Sequence, residues 1–196
     1  MPRRAASHPS DPGPPNPPGA GLTIVRLVEE HARAVCAHIA RHGAESGQGG
    51  DVIFRPRSRD EELDEIEAIE RHRVGWARPL SEPLWLRSWG LFEGEDVVGH
   101  LDLHGGRLPA ELHRATLGMG LERRARGQGH GRALIEGAIA WARDHGLAWI
   151  DLGVFAHNAP ARALYAKVGF VEVGTTRDQF RVDGTSIDDV AMTLRL

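Results

Sequence analysis

Arg126-Gly127-Gln128-Gly129-His130-Gly131 is the stretch of this chain that says most about its fold. It lies between residues 115–121, which have strand character, and residues 133–145, which have helical character. A turn of glycine amides that opens a helix brings several N–H groups together with the positive end of the helix dipole. The stretch therefore predicts a site for a phosphate or pyrophosphate, although glycine clusters also form ordinary turns.

The surroundings of this loop narrow the kind of ligand. Four arginines flank it, with Glu122 as the one acidic residue beside them: Arg123, Arg124, Arg126 and Arg132. This charge suits a multiply charged phosphate better than a solvated turn. No Lys-Ser or Lys-Thr pair follows the last glycine, so the residues of a nucleotide-triphosphate loop are missing. A dinucleotide-binding loop is disfavoured because it normally opens the first strand–helix unit of its domain, although Asp151 lies at a suitable distance for the ribose.

A second motif, at residues 158–170, reads Asn-Ala-Pro-Ala-Arg-Ala-Leu-Tyr-Ala-Lys-Val-Gly-Phe. Arg-x-x-Gly-x-Gly followed by Asn-x-x-Ala-x-x-Leu-Tyr-x-Lys-x-Gly-Phe resembles the GNAT superfamily of acetyl-CoA-dependent N-acetyltransferases. Two motifs in this order are more specific than either one alone. The resemblance covers roughly residues 21–196. Within the superfamily, Asp183-Gly184 and residues 188–196 are similar to the subgroup that acts on protein N-termini and small-molecule amines.

The rest of the sequence alternates between strand and helix patterns. Strands are predicted at residues 22–28, 84–92, 97–104, 113–121, 147–155, 170–174 and 190–196, and helices at 29–42, 58–74, 133–145 and from Asn158. This pattern indicates an α/β or α+β fold with a mixed sheet. The resemblance implies the GNAT arrangement, a splayed mixed β-sheet flanked by helices, with coenzyme A in the opening.

The composition predicts one folded domain behind an N-terminal arm. Hydrophobic residues make up 41% of the 196 residues and charged residues 26%, which suffices for a sizeable core. Residues 1–20 hold seven of the twelve prolines, so we expect a disordered arm there and the GNAT acetyltransferase domain at residues 21–196. The net charge of −3 argues against nucleic-acid binding. With no apolar run that could span a membrane and no signal-peptide core, we expect a cytoplasmic protein.

The resemblance also implies the residues that hold acetyl-CoA as co-substrate. The strand before the loop pairs its backbone with the pantetheine arm, a role that falls on Leu121, Glu122 and Arg123. The loop amides hold the pyrophosphate, a role that falls on Arg126, Gly127, Gln128, Gly129, His130 and Gly131. Asn158 caps the short helix and gains a hydrogen bond to the pantetheine. Gly118 and Gly120 interrupt the strand, which predicts a bulge or a close approach of the ligand.

Tyr165, the one tyrosine of the chain, is the candidate general acid. When an amine attacks the thioester, coenzyme A leaves as a thiolate. A phenol with a reference pKa of about 10 can protonate a thiolate whose acid has a pKa of about 8.5 only when it is positioned for the transfer. In the family this tyrosine is the usual acid, whereas the alternative is that its ring simply fills core volume.

The general base is harder to assign. Many relatives carry a carboxylate near residues 115–116, where this chain has alanine and threonine. Glu111 and His113 lie just upstream and are our first candidates, and Asp102 and His104 on the neighbouring strand are the second. Water alone is the remaining alternative. A metal site built from Asp102, His104 and His113 lacks any supporting pattern, so we expect no metal.

These features predict an N-acetyltransferase that transfers the acetyl group directly to the primary amine of a small molecule, protein or peptide in a ternary complex. A route through Cys36 is disfavoured because this cysteine lies on an early helix without an activator. A non-catalytic acyl-CoA-binding module and an enzyme for longer acyl chains are the alternatives. The acceptor and self-association into a homodimer are left open. Trp76, Trp85 and Trp89 either line an acceptor cleft or pack in the core.

Overall fold

The computed structural model describes residues 21–61 and 64–196. The strands are β1 Leu22–Arg26, β2 Leu86–Glu93, β3 Asp96–Gly105, β4 Arg114–Leu121, β5 Trp149–Phe155, β6 Val171–Val182 and β7 Thr185–Arg195. The helices are α1 Ala32–Ala44, α2 Glu65–Ala77, α3 His130–Asp144 and α4 Ala159–Lys167. The strands form one sheet in the order β1-β2-β3-β4-β5-β7-β6. The N-terminal arm predicted at residues 1–20 lies outside the described residues.

The sheet divides between β4 and β5, its one parallel pair of neighbours in the described chain. These two strands pair only from Arg114 opposite Trp149 to Thr116 opposite Asp151. β5 pairs with β7 along its whole length, and β4 pairs with β3 as far as Leu121. Residues 117–121 and 152–155 therefore border an opening, which we call the gap. The mixed, splayed sheet predicted from the sequence is confirmed.

Helices cover both faces of the sheet, and alternation along the strands assigns each side chain to a face. α3 packs on one face, where Trp141 lies 5.6 Å from the ring of Trp89 and the largest hydrophobic cluster is buried. α1 and α2 pack on the other, where Trp76 donates to Ser88 over 2.8 Å. We call these the α3 face and the α1 face. None of the described helices is long and apolar enough to cross a membrane.

Three elements differ clearly in length from the sequence prediction. The helix predicted at residues 58–74 begins only at Glu65, after Asp64 caps it by accepting from Glu67 N over 3.0 Å. Ser58 instead donates to Asp183 in the β6–β7 turn over 2.5 Å. β6 and β7 are longer than predicted and form a hairpin closed by Asp183-Gly184, both in the left-handed conformation favoured in such turns. The polar sequence of β6 concealed it, because this edge strand is exposed along most of its length.

A group of histidines joins α1 to the end of β3 and β4. His38 Nδ1 lies 3.0 Å from Glu122 Oε1, and His38 Nε2 lies 3.0 Å from His100 Nδ1. His42 packs so closely on Gly120 that a Cβ there would lie 2.5 Å from the imidazole. The lack of a side chain at Gly120 thus allows α1 to pack close to the sheet. Burial, aided by neighbouring His100, lowers the pKa of His42 to about 3, and burial lowers that of His100 to about 4.

This histidine cluster predicts a loss of stability in mild acid. His42 and His100 stay neutral in the folded protein, whereas the unfolded chain takes up protons as the pH falls through their ordinary value of 6.5. The free energy of unfolding should therefore fall by about 2 kcal/mol per ring between about pH 7 and pH 5. Chemical denaturation across this range should show a shallower pH dependence for His42→Phe than for the wild type. A wild-type stability independent of pH over this range would contradict the prediction.

Candidate active site

The glycine loop has a backbone that only glycine adopts easily. Gly127 has φ +74° and Gly129 has φ +88°, both in the left-handed region. No heavy atom lies within 4 Å of the position that a Cβ would occupy at either residue. The sequence interpretation required glycine for close approach of a ligand. The structure adds the turn itself as a second reason and shows that the space beside the loop is open.

α3 begins directly at this loop. Its first intrahelical bond runs from Ala133 N to Gly129 O over 3.1 Å, so the amides of residues 130–132 precede that bond and have no helical partner. A Cβ on Gly131 would lie 3.2 Å from Leu164 of α4 and 3.4 Å from Met119 of β4. The start of α3 therefore packs against both elements and presents its free amides at the end of the gap.

The arginines around the loop are neutralised by acids that the sequence does not place beside them. Arg123 and Arg126 each donate to Asp51 over 2.8 Å, and Arg126 also donates to Glu45 over 2.5 Å. Arg124 donates to Glu93 over 2.5 Å and to Glu122 over 3.1 Å, while Arg132 pairs with Glu136. The expectation that Glu122 alone opposes these charges is wrong. An anion at this loop would therefore meet mainly its amides.

The free edge of β4 can be assigned from its pairing with β3. Glu122 N donates to Val98 O over 2.9 Å, so the amide of Glu122 points to β3. Amides alternate along a strand, so those of Leu117, Met119 and Leu121 point away from β3. The amide of Leu117 faces the carbonyl of Asp151, where β4 still pairs with β5, whereas those of Met119 and Leu121 point into the gap.

The backbone amides of the three residues predicted to pair with pantetheine therefore differ in whether they are free to bind it. Leu121 directs its amide into the gap. The amide of Glu122 is taken by β3, and Arg123 N donates to Glu45 over 2.9 Å. Met119 was missed, because its orientation follows from the register with β3, which the sequence does not show.

Tyr165 and Asn158 lie on α4, beside the gap. Asn158 caps this helix by accepting from Ala161 N over 3.3 Å. Tyr165 is 7% exposed and packs edge-on against Phe170 at 5.8 Å. No described residue hydrogen-bonds its hydroxyl. Burial raises the pKa of Tyr165 to about 12, so the phenol holds its proton at neutral pH.

Glu111 and His113, the first candidates for the base, lie at the closed end of β4. Glu111 accepts from the amides of Arg107 and Leu108 over 2.8 and 3.1 Å, so its carboxylate fixes its own turn. His113 directly precedes β4, next to residues 114–116, where β4 still pairs with β5. The structure does not bring either side chain to the gap.

Asp102 and His104, the second candidates, lie on the α1 face nearer the gap. They are opposite Gly118 and Thr116 of β4, and no heavy atom lies within 4 Å of a Cβ position at Gly118. Asp102 Oδ2 lies 3.9 Å from both His104 Nε2 and His72 Nε2. Burial lowers the pKa of His104 although Asp102 opposes the shift. Of the two pairs predicted from sequence, this one borders the open face.

Other side chains named from the sequence have structural roles. Trp85 and Trp89 are each 1% exposed in the core of the α3 face, so they line no cleft. Trp76 is held on the α1 face by Ser88. Cys36 is buried, and burial raises the pKa of its thiol, which opposes a nucleophilic role. Within residues 21–61 and 64–196, no group of three His, Cys, Asp or Glu side chains is arranged to hold a metal ion.

Known proteins match both the sequence and the fold. The family model for the acetyltransferase (GNAT) family matches residues 53–170, more than half of the chain. The chain belongs to the GNAT acetyltransferase family. It is 34% identical over 97 residues to the L-amino acid N-acetyltransferase AaaT of Escherichia coli K12, which covers 47% of this chain and 58% of AaaT. It is also 34% identical over 85 residues to the N-acetyltransferase YycN of Bacillus subtilis 168, covering 43% of this chain and 54% of YycN. The match thus spans little more than half the length of these curated relatives.

Solved GNAT-like structures share the fold over almost the whole chain. YncA from Salmonella typhimurium, determined with its cofactor acetyl-CoA, superposes with a TM-score of 0.73 at 17% identity, covering 90% of this chain and 94% of YncA. The ribosomal-protein-alanine N-acetyltransferase of Brucella melitensis superposes with a TM-score of 0.70 at 23% identity, covering 89% of this chain and 99% of that protein. At these identities the likeness establishes the GNAT fold of this chain.

The loop geometry predicts a binding defect that can be separated from backbone strain. Gly129→Val should weaken acetyl-CoA binding at least tenfold, about 1.4 kcal/mol, because it distorts the turn and fills the open space beside it. Gly146 follows α3 with φ +76° and an equally open Cβ position, so Gly146→Val imposes a similar strain at a distance from the gap. Calorimetry should show reduced affinity for Gly129→Val alone. Equal affinities in two folded variants would refute the assignment of this loop.

Proposed function

We propose that this GNAT protein is an N-acetyltransferase that moves the acetyl group of acetyl-CoA directly to a primary amine in a ternary complex. The observation that carries the proposal is the gap between β4 and β5, which has free β4 amides along one side and the amides of the α3 N-terminus at its end. Together they offer donors to an extended amide chain and to the pyrophosphate that follows it.

Acetyl-CoA would follow this line of donors. The pantetheine lies along β4, within reach of the amides of Met119 and Leu121, and the pyrophosphate lies on residues 127–132. The side chain of Asn158, at the opposite border, contributes a further hydrogen bond. The Met119 amide then faces the thioester carbonyl and stabilises the oxyanion that develops during attack. Pre-formed donors of this kind hold the reactants close without reorganisation.

The acceptor approaches from the α1 face, where Gly118 leaves the sheet uncovered. The relatives point to the chemical class, since AaaT is named for L-amino acids and the Brucella protein for the alanine of ribosomal proteins. Both names describe an α-amine. We propose that the acceptor here is an α-amine, of a free amino acid or of a peptide N-terminus.

Tyr165 serves as the general acid for the leaving thiolate. Its raised pKa keeps the hydroxyl protonated until negative charge develops on the sulfur. Transfer is direct because Cys36, the one cysteine of the chain, is buried on the inner side of α1 as a thiol with a raised pKa.

An acceptor screen tests this function. Purified protein with acetyl-CoA should release free thiol in the presence of at least one member of a panel of L-amino acids and alanine-initiated peptides. Thermal shift with acetyl-CoA, propionyl-CoA and coenzyme A in parallel reports binding and acyl preference. Stabilisation by acetyl-CoA without thiol release from any acceptor would instead support the non-catalytic binding module.

Tyr165→Phe separates an acid from a packing residue. The ring is retained, so the thermal midpoint and the acetyl-CoA affinity should change little. Loss of the hydroxyl should lower kcat by roughly 10²–10⁴-fold, because protonation of the thiolate belongs to the chemical step. Single-turnover kinetics at saturating acetyl-CoA measure this step. A rate within about twofold of wild type would assign Tyr165 to the core and place the acid elsewhere.

A further inference from the structure

Asp189 places a carboxylate over the β5 border of the gap. It lies on β7 opposite Phe155 of β5. Its side chain leans over the neighbouring Gly153, since a Cβ on Gly153 would lie 2.7 Å from Asp189 Oδ2. Gly153 is exposed and lies two residues beyond Asp151, the last residue of β5 that pairs with β4. The glycine therefore leaves room for the carboxylate at the point where the gap has opened.

The strand pattern puts Asp189 on the side from which the acceptor comes. Val190 of β7 and Leu152 and Val154 of β5 point into the core of the α3 face, which also contains Tyr165. Asp189 and Gly153 alternate with them and point to the α1 face. Asp189 and Tyr165 thus border the gap from opposite faces, the arrangement needed when an amine attacks from one side and a thiolate leaves on the other.

The carboxylate of Asp189 has no protein partner among the described residues. Two neighbouring aspartates of the sheet, in contrast, each accept hydrogen bonds from the protein. Asp151 accepts from Arg114 over 2.6 and 2.8 Å, and Asp188 accepts from the amide of Asp178 over 2.8 Å. Burial raises the pKa of Asp189. The surroundings therefore remove water from the carboxylate, and no cationic side chain of the described residues pairs with it. A half-buried carboxylate of this kind is complementary to a cationic ligand.

We propose that Asp189 is the general base, taking the proton that the acceptor ammonium must lose before it attacks the thioester. This inference rests on the proposed acetyl transfer. The first ammonium proton passes to Asp189, and the neutral nitrogen forms its bond to the acetyl carbon. The nitrogen then loses its second proton to water as the C–S bond breaks. Tyr165 protonates the departing thiolate, water returns a proton to the phenolate, and Asp189 releases its proton to solvent.

Position favours Asp189 over Asp102 for this step. Both residues lie one strand away from the gap, Asp189 on β7 and Asp102 on β3. Asp189 leans over Gly153 of the bordering strand β5, whereas no atom of Asp102 comes within 4 Å of a Cβ position at Gly118 of β4. Asp102 Oδ1 is also buried without a partner, among His72 and His104. Asp102 and His104 therefore line one side of the acceptor site, and the carboxylate of Asp189 contacts the acceptor amine nitrogen.

Asp189→Asn tests the assignment against a matched neighbour, Asp188→Asn. Both changes remove one charge at adjacent positions of β7, and the asparagine at 188 can still accept from the amide of Asp178. With the amino acid or peptide that reacts fastest in the acceptor screen, Asp189→Asn should lower kcat by roughly 10²–10⁴-fold, whereas Asp188→Asn stays near wild type. Both variants should keep their thermal midpoint and acetyl-CoA affinity.

Hydroxylamine as the acceptor distinguishes a general base from a residue with only a structural role. This small nucleophile is uncharged at neutral pH, so its acetylation needs no proton removed before attack. The deficit of Asp189→Asn should therefore shrink to within about threefold when hydroxylamine replaces the ammonium acceptor.

Three outcomes would overturn the assignment: Asp189→Asn turnover within about twofold of wild type, an equal loss with hydroxylamine, or a loss with this acceptor-dependent pattern in Asp102→Asn instead. Failure of the wild type to acetylate any acceptor would refute the proposed function itself, which is a separate result.

Discussion

The early end of pairing between β4 and β5 is the constraint on which the rest of this structure depends. Beyond Thr116 opposite Asp151 the two strands separate, although each remains paired with its other neighbour. A strand edge left this way carries unpaired amides, and a buried amide without a partner costs about 1–3 kcal/mol. The edge is therefore stable only when water or a ligand satisfies it. An extended amide-containing cofactor, as in the proposed function, would meet that requirement.

The surrounding packing holds this edge and the loop at its end in place. On the α3 face, Gly131 allows α3 to close against Met119 and Leu164. On the α1 face, Glu122 lies between His38 and Arg41, at 3.0 and 2.9 Å. Burial opposes ionisation of Glu122, but these two hydrogen bonds outweigh it and lower its pKa. The arginines that the sequence suggested for the ligand thus pair largely with carboxylates around the loop and hold it in place. The loop backbone is left as the expected phosphate site.

The sequence predicted what local patterns carry and missed what depends on register. The two motifs located the loop, α3 and α4, and the resemblance implied the splayed sheet. The free amide of Met119 follows only from the alignment of β4 with β3, which no local pattern reveals. Asp189 is inconspicuous for the same reason, because its relation to Gly153 arises from pairing between strands far apart in the chain. Glu111 seemed suitable by alternation alone, but its carboxylate caps a turn at the closed end of the strand.

Amide hydrogen exchange followed by NMR, with and without saturating acetyl-CoA, tests the central claim that the free edge of β4 binds the cofactor. The amides of Met119 and Leu121 should exchange rapidly in the free protein, since they face the gap, and should slow on binding together with residues 127–132. The intervening amides of Gly118 and Gly120, which point to β3, should change much less. This alternating protection is the result the account predicts. Saturation with acetyl-CoA that leaves residues 117–121 unchanged, or protects them uniformly, would contradict it.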